Sequence, residues 1–288
     1  MNNKSVSISG VIILYNPELD VIENINSYID YVDVLFAIDN SENSNPDIIE
    51  KLKLNPKICY ISNNENLGIA KALNQGAELA LQKNFSWFLT MDQDSKFEDD
   101  NAKYFFNCFD KLENSEEIAL ICANRQSTTI FDKTTENIYD FKTVLIAITS
   151  GNLLNLELYK QIGKFEEKLF IDQVDHDYNL RALLKNYKII KFKNILINHS
   201  LGKQVSVNEK LFIHSPIRIY YQTRNFLYML SKYFFFFPRL FLRYGLSEIK
   251  RIFINFYFDR VNIKAKSRKI LEGFRDFILN KYGKYENN

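Results

Sequence analysis

Four apolar segments, separated by stretches of helical spacing and each running into polar residues, constrain this 288-residue chain most. They are Val6 to Leu14 (VSISGVIIL), Val32 to Ile38 (VDVLFAI), Lys57 to Ile61 (KICYI) and Ser86 to Met91 (SWFLTM). Near-continuous apolar runs of this length suit strands buried on both faces, because successive side chains point to opposite sides of a sheet. Pro17 suits the first turn of a helix running to about Asp30, and Pro46 to Leu52 reads as a second, shorter helix. After a turn at Asn66 to Gly68, Ile69, Ala72, Leu73, Ala77, Ala80 and Leu81 form an apolar face at helical spacing. Strands and helices alternating in this rhythm predict an α/β fold, with parallel strands, right-handed crossovers and a nucleotide-binding type of sheet.

Beyond the fourth strand the pattern loosens. Asp100 to Leu112 reads as a helix, Ile118 to Ala123 as a strand, and the polar, Thr-rich run from Gln126 to Asp140 as a loop or hairpin. Thr143 to Ile148 is strand-like, and Leu156 to Ile162 is a helix capped by Gly163. A helix opens at Asp172, Asp175 and Asp177 and continues to about Lys185. Two short strands follow, Lys188 to Phe192 and Ile195 to Asn198, the second ending on His199.

The net charge of +2 hides an asymmetry, with 17 Lys/Arg against 6 Asp/Glu from Ser200 onward and 20 against 29 before it. An acidic body with a basic tail points to phosphate-bearing or anionic-membrane partners, or to a solvated helical surface. From Pro216 the tail is helical, basic and aromatic; its most apolar part, Phe226 to Phe237, is interrupted by Lys232 and followed by Pro238, Arg239 and Arg243. That run is too short to span a bilayer. It fits an amphipathic helix lying in the membrane plane, or a helical subdomain turning its Phe residues inward. The expected division is a catalytic domain over 1–215 and a helical extension over 216–288. The start, MNNKSVSISG, lacks the pattern of a secretory signal, and Cys59, Cys108 and Cys122 show no paired spacing. Both features lead one to expect a cytoplasmic protein with reduced thiols.

Several acids fall at predicted strand and helix ends, where ligands of open α/β sheets bind. Asp92 and Asp94 follow the fourth strand, and an extended segment would point both carboxylates at one site. Two such acids suit a hard divalent cation with bound phosphates. Asp39 ends the second strand, either to accept hydrogen bonds from a base or ribose or simply to form an Asx-turn. Asn66 and Gly68 precede a helix N-terminus, a setting for a nucleotide or for plain capping. Asp172, Asp175 and Asp177 include a candidate general base, or else complement the helix dipole. His199 at a strand tip is a candidate metal ligand that, beside carboxylates, favours Mn²⁺ over Mg²⁺. Arg218 and Arg224, near Tyr220, Tyr221 and Asn225, suit a diphosphate or a solvated helix.

In order, ILYNP, IDNS, NENLGIAKALNQG, TMDQDS, SGN, FIDQVDHDYNLR, NHSLG and R-x-YY-x-x-RN resemble a family 2 glycosyltransferase of the GT-A fold, close to bacterial rhamnosyltransferases of O-antigen and capsule assembly. The similarity runs from about Val6 to Tyr228, and TMDQDS and FIDQVDHD are its most specific elements. It implies that Asp39, with backbone near Tyr15 and Asn16, meets the nucleobase or ribose, and that Asn66 and Gly68 border the nucleotide. It further implies that Asp92 lies toward the ribose, and that Asp94 and His199 hold Mn²⁺ or Mg²⁺ at the diphosphate. Arg218 and Arg224 would approach the diphosphate or acceptor. Asp175 matches the family's base, although Val174 replaces the Glu of the usual Glu-Asp pair and Asp172 is the candidate second acid.

The implied reaction is inverting sugar transfer from a nucleotide-diphosphate sugar, dTDP-β-L-rhamnose first, with UDP-galactofuranose, UDP-glucose and UDP-galactose as alternatives. The implied acceptor is a glycan on a polyprenyl diphosphate, reached by a cytoplasmic enzyme at the inner face of the membrane. Nucleic acid is not an expected partner. A nucleotidyltransferase would share the sheet but needs a Gly-rich phosphate loop with basic residues, which SGVIILYNPELD lacks. A pure binding module would not need acids at three element tips.

Overall fold

A computed structural model describes residues 6–112, 115–125, 137–199 and 213–286. The first half alternates as β1 (Ile8–Leu14), α1 (Asp20–Asn26), β2 (Val34–Asp39), α2 (Pro46–Lys53), β3 (Ile58–Ser62), α3 (Ile69–Gln82) and β4 (Trp87–Asp92). These strands lie side by side as β3-β2-β1-β4, all parallel. Neighbouring residues supply opposite cores: Val11, Phe36 and Phe88 pack on one face of the sheet, and Ile12, Ala37 and Leu89 on the other. Burial on both faces is why the four segments are apolar throughout. The chain fills one side of β1 with β2 and β3, then crosses to the other side with β4. The C-terminal ends of β1 and β4 therefore flank a topological switch point, the crevice where open α/β sheets bind ligands.

The second half continues with β5 (Ser95–Phe97), α4 (Asn101–Phe106), β6 (Ile118–Arg125), β7 (Phe141–Thr143), β8 (Asn152–Asn155), α5 (Leu156–Ile162), α6 (Val174–Leu184) and β9 (Lys188–His199). Among the described residues the sheet has nine strands in the order β3-β2-β1-β4-β8-β6-β9-β5, with β7 also on β9. Here antiparallel pairings enter, at β4–β8, β6–β8, β5–β9 and β7–β9.

Three sequence expectations change. The apolar run Thr143 to Ile148 is not a strand; Asn152–Asn155 takes the place between β4 and β6. Its flanking asparagines look like turn residues because they also work locally: Asn152 donates to Ile148 O, and Asn155 caps α5 through the Glu157 and Leu158 amides. The two short strands expected after Lys188 are one, β9, since Lys193 and Asn194 fall in a bulge where the partner register jumps from Cys122–Lys191 to Asn124–Leu196. The first helix begins at Asp20, three residues beyond Pro17, after Asn16 turns with φ 46°. Most of the expected Gln126 to Asp140 loop, and Ser200 to Gly202, lie outside the described residues.

The tail forms α7 (Pro216–Tyr233), α8 (Pro238–Phe258) and α9 (Ile263–Ile278). Met229, Tyr233 and Phe241 join the core on the α3 side of the sheet, so part of the aromatic run does turn inward. Among the described residues no helix is long and apolar enough to cross a membrane. A buried ion cluster ties α7 to α6. Asp177, fully enclosed, accepts hydrogen bonds from Arg181 (2.8 Å), Lys232 (2.9 Å) and the Tyr233 hydroxyl (2.7 Å). Burial pushes this carboxyl up, but Arg181, Lys232 and Tyr233 outweigh it and hold the group below the usual aspartate range.

A carboxyl held low in the folded state stabilises the protein above its unfolded pKa, about 3.9, and that stabilisation is lost as pH falls through the folded value. Asp177→Asn should therefore cost about 3 kcal/mol at neutral pH by leaving two cations unmatched. It should also flatten the acid side of the stability–pH curve, which urea unfolding across pH will measure.

Candidate active site

At the switch point, a cleft of about 810 Å³ gathers residues from both halves of the sheet and from the tail. Tyr15, Asn66, Gly68, Asp92, Asp94, Asp175 and Arg218 all line it. Asn16, Asp39 and Arg224 do not.

One rim is the β4 tip. Asp92 ends the strand, paired in register with Ile13, and residues 93 and 94 turn toward β5. Asp94 thus sits in a turn and not on an extended strand, so the simple alternation argument does not apply to it. The residue between the two acids is the fastener. Gln93 accepts from the Tyr15 amide (2.8 Å) through Oε1 and donates to the Tyr15 carbonyl (3.2 Å) through Nε2. The Asn24 side chain also donates to the Gln93 carbonyl (2.9 Å). The turn that carries the acids is therefore locked onto the end of β1. The Asp92 amide donates to Ser150 Oγ (3.1 Å), which fixes the other side of the turn.

The wall beside β2 and α3 is built on turns. Asp39 is buried, accepting from the Ser41 amide (2.8 Å) and the Tyr60 hydroxyl (2.7 Å); the Asx-turn reading describes it as it stands. Ser41 Oγ in turn accepts from the Asn16 amide (2.7 Å). Asn40, one residue past Asp39, reaches the cleft and donates to the Gly68 carbonyl (3.1 Å). Gly68 takes φ +84°, and a Cβ there would lie 2.5 Å from the Phe170 ring. Glycine is required because the turn runs directly against Phe170, and the Ile69 amide donates to the Phe170 carbonyl (2.8 Å).

Packed against this wall, Phe170, Asp172 and Gln173 all adopt positive φ (62°, 63° and 67°) just before α6. Such conformations cost on the order of 1–3 kcal/mol each for non-glycine residues and persist only when the surroundings impose them. The Asn225 side-chain amide imposes them, donating to the carbonyls of Leu169 (2.8 Å), Ile171 (2.7 Å) and Asp172 (3.1 Å). Arg224 does not reach the cleft. Its guanidinium is buried among Tyr220, Tyr221 and Tyr282, donates to the carbonyls of Lys168 and Gly283, and through Nε donates to Asn225 Oδ1 (3.1 Å). That last bond turns the Asn225 amide nitrogen toward the strained loop.

Asp175, in the first turn of α6, accepts from the His176 amide (2.8 Å), and His176 Nδ1 meets Gln173 Oε1 (2.7 Å). Asp172 Oδ1 pairs with Arg218 (3.1 Å), while its buried Oδ2 has no hydrogen-bond partner among the described residues. Asp177, the third acid of the segment, points away into the α6–α7 ion cluster. His199 closes β9 opposite Ser95, one residue past Asp94; its side chain lies outside the described residues.

Sequence reasoning missed Arg125, Gln222 and Arg251, which line the same cleft. Arg125 ends β6, so the strand-tip argument would have found it. Nothing in the sequence marks Arg251, which arrives from α8 gripped by both oxygens of Glu248. Burial pushes the Glu248 carboxyl up to about 7 against the pull of Arg251, and burial with the Arg218 and Arg251 charges pushes His214 down to about 4. The cleft thus carries Asp92 and Asp94 at the β4 rim, and toward α7 and α8 the arginines Arg218 and Arg251, each paired with an acid.

The carboxylates at the β4 rim suit a hard cation. Among the described residues, no three His, Cys, Asp or Glu side chains gather into a ready-made cage. One or two carboxylates with the remaining positions left to phosphates and water is the usual arrangement for a cation that accompanies a nucleotide, so the donor set fits one.

Comparison with known proteins matches residues 9–163 to Glycosyl transferase family 2. The dTDP-rhamnosyl transferase RfbF of Shigella flexneri is 30% identical over 247 residues, covering 78% of this chain and 80% of that protein. The crystal structure of GalNAc-T7 with UDP, GalNAc and Mn²⁺ superposes with a TM-score of 0.63 at 11% identity, over 96% of this chain and 57% of that one. Staphylococcus aureus TarS 1-349 in complex with UDP-GlcNAc gives 0.55 at 15%, over 94% and 80%. At such identities the structures speak for the fold alone, and they bear out the GT-A expectation; this chain spans little more than half of the GalNAc-T7 chain. With more than half of its length in the family match and a relative at 30% identity over most of the chain, the protein belongs to glycosyl transferase family 2.

Proposed function

We propose that this protein is an inverting rhamnosyltransferase that moves L-rhamnose from dTDP-β-L-rhamnose to a hydroxyl of a cell-surface polysaccharide precursor. The observation that carries the reading is one cleft, at the switch point of a family 2 chain, in which Asp92 and Asp94 share the walls with Asp175 and Arg218. The likeness to a dTDP-rhamnosyl transferase favours rhamnose as the donor sugar.

In this reading Tyr15, Asn66 and Gly68 border the nucleoside. Asp39 acts behind them, shaping the Asn40 turn through Ser41 and Asn16. Asp92 faces the ribose. Asp94, with His199, would hold Mn²⁺ or Mg²⁺, which when bound offsets the charge of the departing diphosphate. Arg218 adds a fixed positive charge on the opposite side of the cleft. Asp175 takes the proton from the acceptor hydroxyl while that oxygen bonds to the anomeric carbon. The bond from that carbon to the diphosphate breaks, so configuration inverts and dTDP leaves. Asp172 is the weaker candidate for the base, because Arg218 already claims one of its oxygens.

The acceptor in this reading is a glycan on a polyprenyl diphosphate, met by a cytoplasmic enzyme resting peripherally on the inner face of the membrane. The basic aromatic tail and the arginines at its end of the cleft support it.

Three measurements test these assignments. In a panel of dTDP-rhamnose, UDP-galactofuranose, UDP-glucose and UDP-galactose with Mn²⁺, dTDP-rhamnose should give the largest thermal stabilisation and the fastest nucleoside-diphosphate release; a UDP-sugar in that place would move the donor assignment. Asp175→Asn should lower kcat by about 10²–10⁴-fold while donor-induced stabilisation survives, and full activity would shift the base to Asp172. Chelation of divalent cations should abolish release and most of the donor-induced stabilisation, and Asp94→Asn should do the same with metal present.

A further inference from the structure

Helix α8 presents two different faces. Toward the protein, Phe241 and Asn255 are buried, Tyr244 stacks on His176 (ring centroids 5.5 Å apart), and Arg251 lines the cleft. On the outside, Leu242, Leu246, Ile249, Phe253 and Tyr257 recur at intervals of three and four residues, so they form one stripe about 22 Å long. The stripe is open to solvent, with Leu246 at 70% and Phe253 at 71% exposure. Phe235 and Phe236, in the turn just before the helix, are exposed at 89% and 63%. A surface this apolar marks a place where something binds.

The charges beside the stripe identify the occupant. Arg239, Arg243 and Lys250 are exposed, and at about 100° per residue they fall along one edge of the stripe. The single acid of α8, Glu248, is turned inward and held by Arg251. The outer face therefore combines bulky apolar side chains with positive charge that no acid among the described residues pairs. A second copy of the chain would set the same unbalanced charge against itself, whereas anionic headgroups over acyl chains match both components.

We propose that α8 seats in the plane of an anionic lipid surface, with the Leu242–Tyr257 stripe in the acyl boundary and Arg239, Arg243 and Lys250 among the headgroups. The proposal rests on the reading that the acceptor is lipid-linked, and it gives that reading a geometry. Because the opposite face of α8 carries Arg251 into the cleft, the acceptor end of the site would lie about one helix diameter, ~10 Å, from the lipid surface.

Sedimentation of the full chain with phosphatidylcholine vesicles, with and without phosphatidylglycerol, tests this without reference to activity. The wild type should bind the mixed vesicles and bind phosphatidylcholine alone much more weakly. Neutralising Arg239, Arg243 and Lys250 to Gln should weaken binding about fivefold per residue. Leu246→Glu with Phe253→Glu should weaken it at least tenfold. Both variants should keep wild-type thermal stability and donor-dependent nucleoside-diphosphate release, since none of these residues lines the cleft. Unchanged vesicle binding in either variant overturns the proposal, as does a wild-type dimer in sedimentation velocity that Leu246→Glu with Phe253→Glu dissolves. Loss of donor turnover in the wild type would instead strike the enzymatic reading and leave the lipid result standing by itself.

Discussion

The Asn225 amide braces the segment on which one wall of the cleft depends. It gathers three carbonyls of the 169–172 segment, and so stabilises a backbone that three non-glycine residues at positive φ would otherwise avoid. From that strained segment, Phe170 presses on Gly68 and accepts the Ile69 amide, Asp172 meets Arg218, and Gln173 opens the helix that presents Asp175. Arg224 stands behind the amide and fixes which of its atoms faces the loop. The Arg-Asn pair of the tail is thus a support for the site, acting on it only through backbone.

The cleft also gathers both signs of charge. Asp92 and Asp94 stand at a turn fastened to β1 by Gln93, Asp172 and Asp175 face them from the start of α6, and the arginines come from the end of β6 and from helices that follow the sheet. A diphosphate between the β4 turn and these arginines would be met by positive charge on one side and by a cation-binding rim on the other. The topology puts Asp92 at the switch point, because β1 and β4 stay paired to their ends and the segments that leave them part there around a crevice.

Much of this was legible in the sequence, for identifiable reasons. The four strands of the parallel half announced themselves because burial on both faces demands unbroken apolar runs. The acids after β4 and at the start of α6 stood out because they follow such runs directly. Legibility ended where one residue serves two purposes. Asn152 and Asn155 look like turn residues because they cap and brace their neighbours, and they concealed β8. Arg224 carries the chemistry of a phosphate ligand, yet three tyrosines and two carbonyls enclose it. Arg251 gave no signal at all, since α8 reads as a generic amphipathic helix and only tertiary packing brings one of its arginines to the cleft.

The order in which these parts occur along the chain has a consequence for biosynthesis. Gly68, Phe170, Asn225 and Arg251 meet in one region though they are spread over most of the chain. Parallel strands can begin to pair as they leave the ribosome, but the segment carrying Asp172 has no brace until α7 follows it out, and the last wall waits for α8. A nascent chain therefore holds a recognisable nucleotide-type sheet before the cleft is walled, because α7 and α8 emerge only after the sheet that they close.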